Sequence, residues 1–78
     1  MINVTVYYTK SCPFCSRVKA FLDKNDISFV GVDLEENKFA VNKLKEDLDE
    51  IRLPITKIGD EYILGYDITK LKKSLNLE

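Results

Sequence analysis

Seventy-eight residues make one small domain spanning 1–78, near the size at which a single hydrophobic core only just suffices, and they leave no room for a second. Hydrophobic residues at 45% and charged residues at 32% exclude a disordered, collagen-like or disulfide-dense chain. Twelve basic residues against thirteen acidic ones, alternating along the chain, leave no broad basic field for nucleic acid or an anionic membrane.

Met1-Ile2-Asn3-Val4 runs straight into a strand pattern, without the cationic segment, long apolar stretch or small-residue cleavage site of a signal peptide, so the cytoplasm is the expected compartment. Ile2, Val4, Val6 and Tyr8 alternate with Asn3, Thr5 and Tyr7, and the intervening residues are themselves β-favouring. That pattern predicts a strand inside a sheet, covered on both faces. Pro13 suits a first helical position, where its missing N–H costs nothing. Val18, Phe21 and Leu22 follow at helical spacing, with Arg17, Lys19, Asp23 and Lys24 outward, which predicts a helix over 13–24. Asn25-Asp26 breaks it and Ile27-Ser28-Phe29-Val30-Gly31-Val32 resumes strand character, completing a βαβ unit.

Asp33, Glu35, Glu36 and Asn37 precede a second helical stretch whose packing stripe is Val41, Leu44, Leu48 and Ile51, and Pro54 stops it. The acids from Asp47 to Glu50 read as its solvated end. Ile55–Ile58 and Glu61–Leu64, separated by Gly59-Asp60, predict a hairpin with a two-residue turn. After Gly65-Tyr66-Asp67, Asp67 is placed to cap a final helix with Ile68, Leu71 and Leu75 inward and Lys70, Lys72 and Lys73 outward. The element order is βαβαββα, an α/β class.

The only two cysteines stand in Cys12-Pro13-Phe14-Cys15, between the first strand and the first helix. A thiol is nucleophilic as the thiolate, and a helix N-terminus favours that anion with unpaired N–H groups and the positive end of the dipole. Cys15 falls nearly one turn later on the same face, so the two sulfurs can meet. In a reducing compartment such a pair is expected to be catalytic, redox-sensing or metal-binding. A permanent structural bridge is disfavoured, because so short a loop removes little unfolded-state entropy. Half of a zinc site is a further reading, but a closed site takes four ligands. With no histidine and no further cysteine, acids or a second subunit would have to complete it.

Three anchors in order, Cys12-Pro13-Phe14-Cys15, Leu53-Pro54-Ile55 and Gly65-Tyr66-Asp67, resemble the thioredoxin-fold redoxins, specifically the glutaredoxins and the similar NrdH-type redoxins. The resemblance covers essentially the whole chain. It implies a thioredoxin-like fold with a central mixed four-stranded sheet flanked by helices, and the activity of a small dithiol–disulfide oxidoreductase acting on protein disulfides or glutathione mixed disulfides. Cys12 then corresponds to the attacking thiol, with Lys10, Arg17 and Lys19 nearby in sequence to favour its anion. Such settings bring thiols from about 8.5 down to roughly 3.5 to 7.5. Cys15 corresponds to the resolving thiol, which closes the Cys12–Cys15 disulfide and releases the reduced substrate.

The same resemblance gives Pro13 and Phe14 a place beside the substrate, with Phe14 an apolar patch. It makes Pro54 a cis-proline that leaves the Leu53 backbone free to pair with an extended thiol substrate; apart from the resemblance, Pro54 would read as a trans residue at the start of an edge strand. Gly65, Tyr66 and Asp67 correspond to the segment that binds the γ-glutamyl end of glutathione, with Asp67 on the ammonium, and Lys10 is the candidate for a glycyl carboxylate. The glutaredoxin pattern is not complete. Leu64-Gly65 replaces the usual double glycine, Ile68 stands where a second acid is common, and the basic residue lies two positions before Cys12 instead of three.

No bound cofactor is expected, and glutathione is the expected reductant or co-substrate. A thioredoxin reductase recharging an NrdH-type donor to ribonucleotide reductase is the alternative. An alternative of another class is a non-catalytic dimer holding zinc or an iron–sulfur cluster. Monomer is the default, with disulfide-containing proteins as partners and neither nucleic acid nor membrane among them.

Overall fold

The computed structural model describes residues 3–77. Its elements run β1 (Val4–Tyr8), α1 (Pro13–Lys24), β2 (Val30–Asp33), α2 (Lys38–Asp47), β3 (Ile55–Ile58), β4 (Glu61–Leu64) and α3 (Ile68–Ser74), the order expected from the sequence. The four strands form one sheet in the order β2-β1-β3-β4. β1 pairs parallel with β2 and antiparallel with β3, and β3 pairs antiparallel with β4. β1 is therefore internal, as its pattern predicts. Ile2, the expected first residue of that strand, lies outside the described residues. No helix among the described residues is long and apolar enough to cross a membrane.

Each face of the sheet has its own core. Val4 and Val6 of β1, Ile58 of β3 and Ile63 of β4 pack with Val18 and Leu22 of α1 and Leu71 of α3. On the opposite face Ile55 packs with Leu34 and with Leu44 of α2, flanked by Tyr7, Val32, Val41, Leu48, Leu53 and Tyr62. Alternation along β1 explains the division, since successive side chains point to opposite faces. Each Val or Leu buried in this way contributes roughly 1.5–3 kcal/mol relative to exposure.

Helix ends follow local chemistry. Cys12 is the N-cap of α1 with Pro13 in the first turn, and Asn37 and Asp67 cap α2 and α3 by accepting from the N–H groups of Ala40 and Lys70. At the end of α1, Asp26 takes φ +58°, and Ile27 N–H donates to Leu22 C=O at 2.9 Å. This left-handed closure satisfies carbonyls the helix leaves open. The same device ends α3, with Asn76 at φ +60° and Leu77 N–H donating to Lys72 C=O.

Two boundaries differ from the sequence expectation. The second strand begins at Val30 and not Ile27, because Ile27 is still tied to α1. Ile27 and Phe29 pack against the core while the chain climbs to the sheet edge. The second helix ends at Asp47, so Leu48 is an extended cap residue and Ile51 is exposed outside the helix. Asp47, Asp49 and Glu50 would place negative charge at the negative end of a longer helix, which opposes its extension. The Asp47 carboxylate is also not simply solvated, since it accepts from Tyr62 Oη at 2.8 Å and pairs with Lys43.

Candidate active site

The redox pair occupies the junction of β1 and α1. Cys12 has extended backbone angles, and its Sγ accepts from Cys15 N–H at 3.2 Å. Cys12 N–H donates back to Thr9 C=O, closing the connecting turn. The two cysteines form a disulfide, with their Cα atoms 5.4 Å apart. Their environments differ sharply: Cys12 is partly exposed at the helix mouth, whereas Cys15 is 2% exposed on the face turned to the sheet. An N–H aimed at the Cys12 sulfur and the dipole of a twelve-residue helix both favour its anion once the pair is reduced.

Beside the pair runs a groove of about 770 Å³ lined by Phe14, Arg52, Leu53, Leu64, Gly65, Tyr66, Asp67, Ile68 and Thr69. Phe14 and Tyr66 stack across it with ring centroids 6.2 Å apart and planes inclined by 22°, joining the cysteine segment to the glycine segment. The Leu53–Pro54 peptide bond is cis, as the resemblance implies. Pro54 is buried and its carbonyl accepts from Gly65 N–H at 2.7 Å, holding the groove's two walls together. Among the described residues no backbone hydrogen bond engages Leu53. Gly65 adopts φ +75°, a conformation that L side chains rarely take.

Sequence-selected residues thus converge, with exceptions. Phe14, Leu53, Gly65, Tyr66 and Asp67 line the groove and Pro54 underlies it. Pro13 is exposed in the first turn of α1. Lys10 is exposed outside the groove lining, where its backbone N–H donates to the Glu35 carboxylate at 3.0 Å. Arg17 lies 5.3 Å from the Phe14 ring centre, and Lys19 Nζ sits 3.2 Å over the Tyr8 ring, so both cations are engaged with aromatic faces. The cation on the groove is Arg52, which sequence reasoning passed over; its Nη2 pairs with Glu50 at 3.0 Å on the exposed rim. Its place directly before Leu53-Pro54 is the signal that could have found it. Among the described residues no group of three His, Cys, Asp or Glu side chains is assembled that could hold a metal ion.

Residues 4–63 match the Glutaredoxin family model. The chain belongs to the glutaredoxin family. Among curated relatives it is 28% identical over 67 residues to Glutaredoxin 3 of Escherichia coli K12, covering 86% of this chain and 81% of that protein. It is 23% identical over 70 residues to an uncharacterized glutaredoxin-like 8.6 kDa protein in the rubredoxin operon of Clostridium pasteurianum, covering 90% and 93%. Among solved structures, a point variant of the thioredoxin-like protein BC3987 superposes with a TM-score of 0.90 at 34% identity, covering 97% of each chain. The fold alone is shared with the NrdH-redoxin of Escherichia coli, at 18% identity, TM-score 0.84 and coverage of 91% and 92%. It is likewise shared with a buckwheat glutaredoxin in complex with glutathione, at 22%, TM-score 0.75 and coverage of 96% and 71%. The family and the disulfide-bonded CxxC pair support thiol–disulfide oxidoreductase chemistry for this glutaredoxin-family chain.

Proposed function

We propose that this protein is a single-domain, monomeric, cytoplasmic dithiol–disulfide oxidoreductase that reduces protein disulfides or glutathione mixed disulfides through Cys12 and Cys15. The observation that carries this reading is the asymmetry of the pair, one sulfur partly exposed at a helix N-terminus and the other buried one turn later. The Cys12 thiolate attacks one sulfur of a substrate disulfide, forming a mixed disulfide and expelling the first substrate thiolate. The Cys15 thiolate then attacks the Cys12 sulfur, forms the Cys12–Cys15 bond and expels the second thiolate. Two electrons have passed to the substrate, and a thiol reductant must return them.

The groove supports an extended thiol peptide such as glutathione. Leu53 offers unengaged backbone groups for a short strand pairing, Phe14 and Tyr66 an apolar wall, Arg52 a cation for a carboxylate and Asp67 an anion for an ammonium. Lys10 remains a second candidate for the carboxylate through its long side chain. One observation favours the NrdH-type reading instead, with thioredoxin reductase as reductant and ribonucleotide reductase as acceptor. Gly65 N–H is engaged by Pro54 and Leu64 stands in place of a first glycine, so the glycine segment has fewer backbone donors to offer a ligand.

Coupled NADPH oxidation decides between them. Turnover of a disulfide substrate with glutathione and glutathione reductase, and none with thioredoxin reductase alone, supports the glutaredoxin reading; the reverse pattern names the NrdH-type branch. A visible absorption spectrum or stoichiometric zinc in protein purified without oxygen, together with no turnover in either assay, replaces both with a metal-holding module.

A further inference from the structure

A second cleft, of about 310 Å³, is lined by Phe21, Lys24, Asn25, Tyr66, Ile68 and Lys72. Tyr66 and Ile68 also line the redox groove, so the two hollows meet at these residues. Both helices contribute in the same way. In α1 the half-buried Phe21 packs against the core and the exposed Lys24 follows three residues later; in α3 the half-buried Ile68 does so and the exposed Lys72 follows four residues later. Those steps keep each pair on one helix face. The cleft thus joins an apolar floor to two lysines.

Helix chemistry accounts for part of this. Lys24 and Lys72 stand in the last turns of α1 and α3, where the dipole favours cations. It does not account for the exclusion of acids. Asp23 and Asp26, which flank Lys24 and Asn25 in the chain, line a separate cleft with Ile27, Ser28 and Phe29. Among the described residues neither lysine has an ion-pair partner, and the ion pairs present belong to Lys43 and Arg52. In a chain with twelve basic and thirteen acidic residues, this cleft carries charge of one sign.

We propose that the cleft docks an acidic segment of the protein whose disulfide is reduced, with an apolar side chain on Phe21, Tyr66 and Ile68 and carboxylates toward Lys24 and Lys72. The inference rests on the dithiol reading above and gives it a substrate class. Reach sets the spacing. At about 1.5 Å per residue, Phe21 and Lys24 lie about 14 and 18 Å along α1 from Cys12. An extended chain advances about 3.3 Å per residue, so the acidic residues stand about four to six positions from the substrate cysteine. A thiol tripeptide, with one residue on each side of its cysteine, ends short of the lysines. The second cleft therefore distinguishes protein substrates from glutathione.

The test follows single turnovers of the pre-reduced protein with three peptide disulfides, each made of two copies of one cysteine peptide. The positions about four to six residues from the cysteine carry glutamate, glutamine or lysine, and closure of the Cys12–Cys15 disulfide is read by mass spectrometry after acid quench. At low salt and subsaturating peptide, the glutamate peptide is expected to react about fivefold faster than the glutamine peptide, with the advantage shrinking as salt rises. Lys24→Gln with Lys72→Gln should bring that ratio close to one, and Lys24→Glu with Lys72→Glu should turn the preference to the lysine peptide. Lys38→Gln with Lys45→Gln, on α2, removes the same charge elsewhere and should keep the ratio. A ratio of one in the wild type, or a ratio that the α2 pair lowers as far as the cleft pair does, overturns the proposal. A cysteine-free glutamate peptide that inhibits no better than citrate also overturns it, making the cleft a site for a free small anion. A dimer in sedimentation that the cleft pair dissolves does so too, making the occupant a second copy of the chain. Wild-type protein that is oxidised by none of the three peptides defeats the dithiol reading itself; equal oxidation by all three defeats only the docking cleft.

Discussion

The two faces of the sheet are built to different standards. Toward α1 and α3, seven side chains from five elements are sealed together, and the helix they hold carries the redox pair at its mouth. Toward α2, three sealed residues are surrounded by half-buried ones, and the margin is closed by a polar contact between Asp47 and Tyr62. Disulfide exchange needs two sulfurs in register with an incoming third, which a rigid helix start provides. The α2 face lends Leu53 and Leu64 to the rim of the groove and otherwise covers the sheet. Chemistry is thus concentrated on the side where packing is tightest, and substitutions should separate the faces by what they damage.

The largest effect belongs to Cys12. Cys12→Ser should reduce dithiol turnover to background, whereas Cys15→Ser should accumulate a mixed disulfide with protein substrates, visible by mass spectrometry; turnover in Cys12→Ser would reverse the roles. Next come the two cores. Leu22→Ala and Leu44→Ala each remove a fully buried leucine, at a cost of about 2–5 kcal/mol, with more where surroundings cannot collapse. Leu22, enclosed among sealed neighbours, should lie toward the upper end and Leu44 toward the lower in urea unfolding. Equal losses would mean that the two faces are equally rigid. Below the unfolding midpoint, Leu44→Ala should leave the exchange rate nearly unchanged while Leu22→Ala slows it.

Much of the first face was legible in the residues. Val4, Val6, Val18 and Leu22 announce it by period alone, and Cys12 and Cys15 announce the chemistry by standing between a strand and a helix. The groove was only half legible. Gly65, Tyr66 and Asp67 were found through a family pattern, but the cation beside them is Arg52, carried in from the loop before Leu53, while Lys10 lies outside the lining. Proximity across a fold is not proximity in sequence. The boundaries that failed, Ile27 and Ile51, failed where helix ends are decided by competition between periodicity and terminal chemistry. A left-handed Asp26 and a run of acids won in those places.

A smaller effect tests whether groove and fold share one residue. Asp67 caps α3 through Oδ1 at 3.1 Å from Lys70 N–H and also lines the groove. Asp67→Ala should destabilise by about 1 kcal/mol through the lost cap. Asp67→Asn keeps a capping oxygen and removes the charge, so it should leave stability nearly intact while raising KM for a glutathione mixed disulfide. An unchanged KM would confine Asp67 to the fold.

The smallest effect lies on the α2 face and is read by pH. Burial, then the hydrogen bond to Asp47, pushes the Tyr62 phenol up to about 12, while the Tyr62 hydroxyl holds the Asp47 carboxyl below its ordinary value. The signs follow from linkage. Tyr62 is held neutral in the folded protein, so its contribution is complete below the ordinary phenol value near 10 and is lost as pH rises toward 12. Asp47 is held ionised, so its contribution is complete above about 3.8 and is lost as pH falls through the lowered folded value. Tyr62→Phe should therefore flatten the acid limb of stability attributable to Asp47 and delete the highest-pH step of the phenolate titration. Asp47→Asn should bring that step back toward 10. Neither change should alter disulfide exchange at neutral pH, because the contact closes the margin of the supporting face and touches neither sulfur. A loss of exchange in Tyr62→Phe would show that the α2 face helps to set the geometry of the pair.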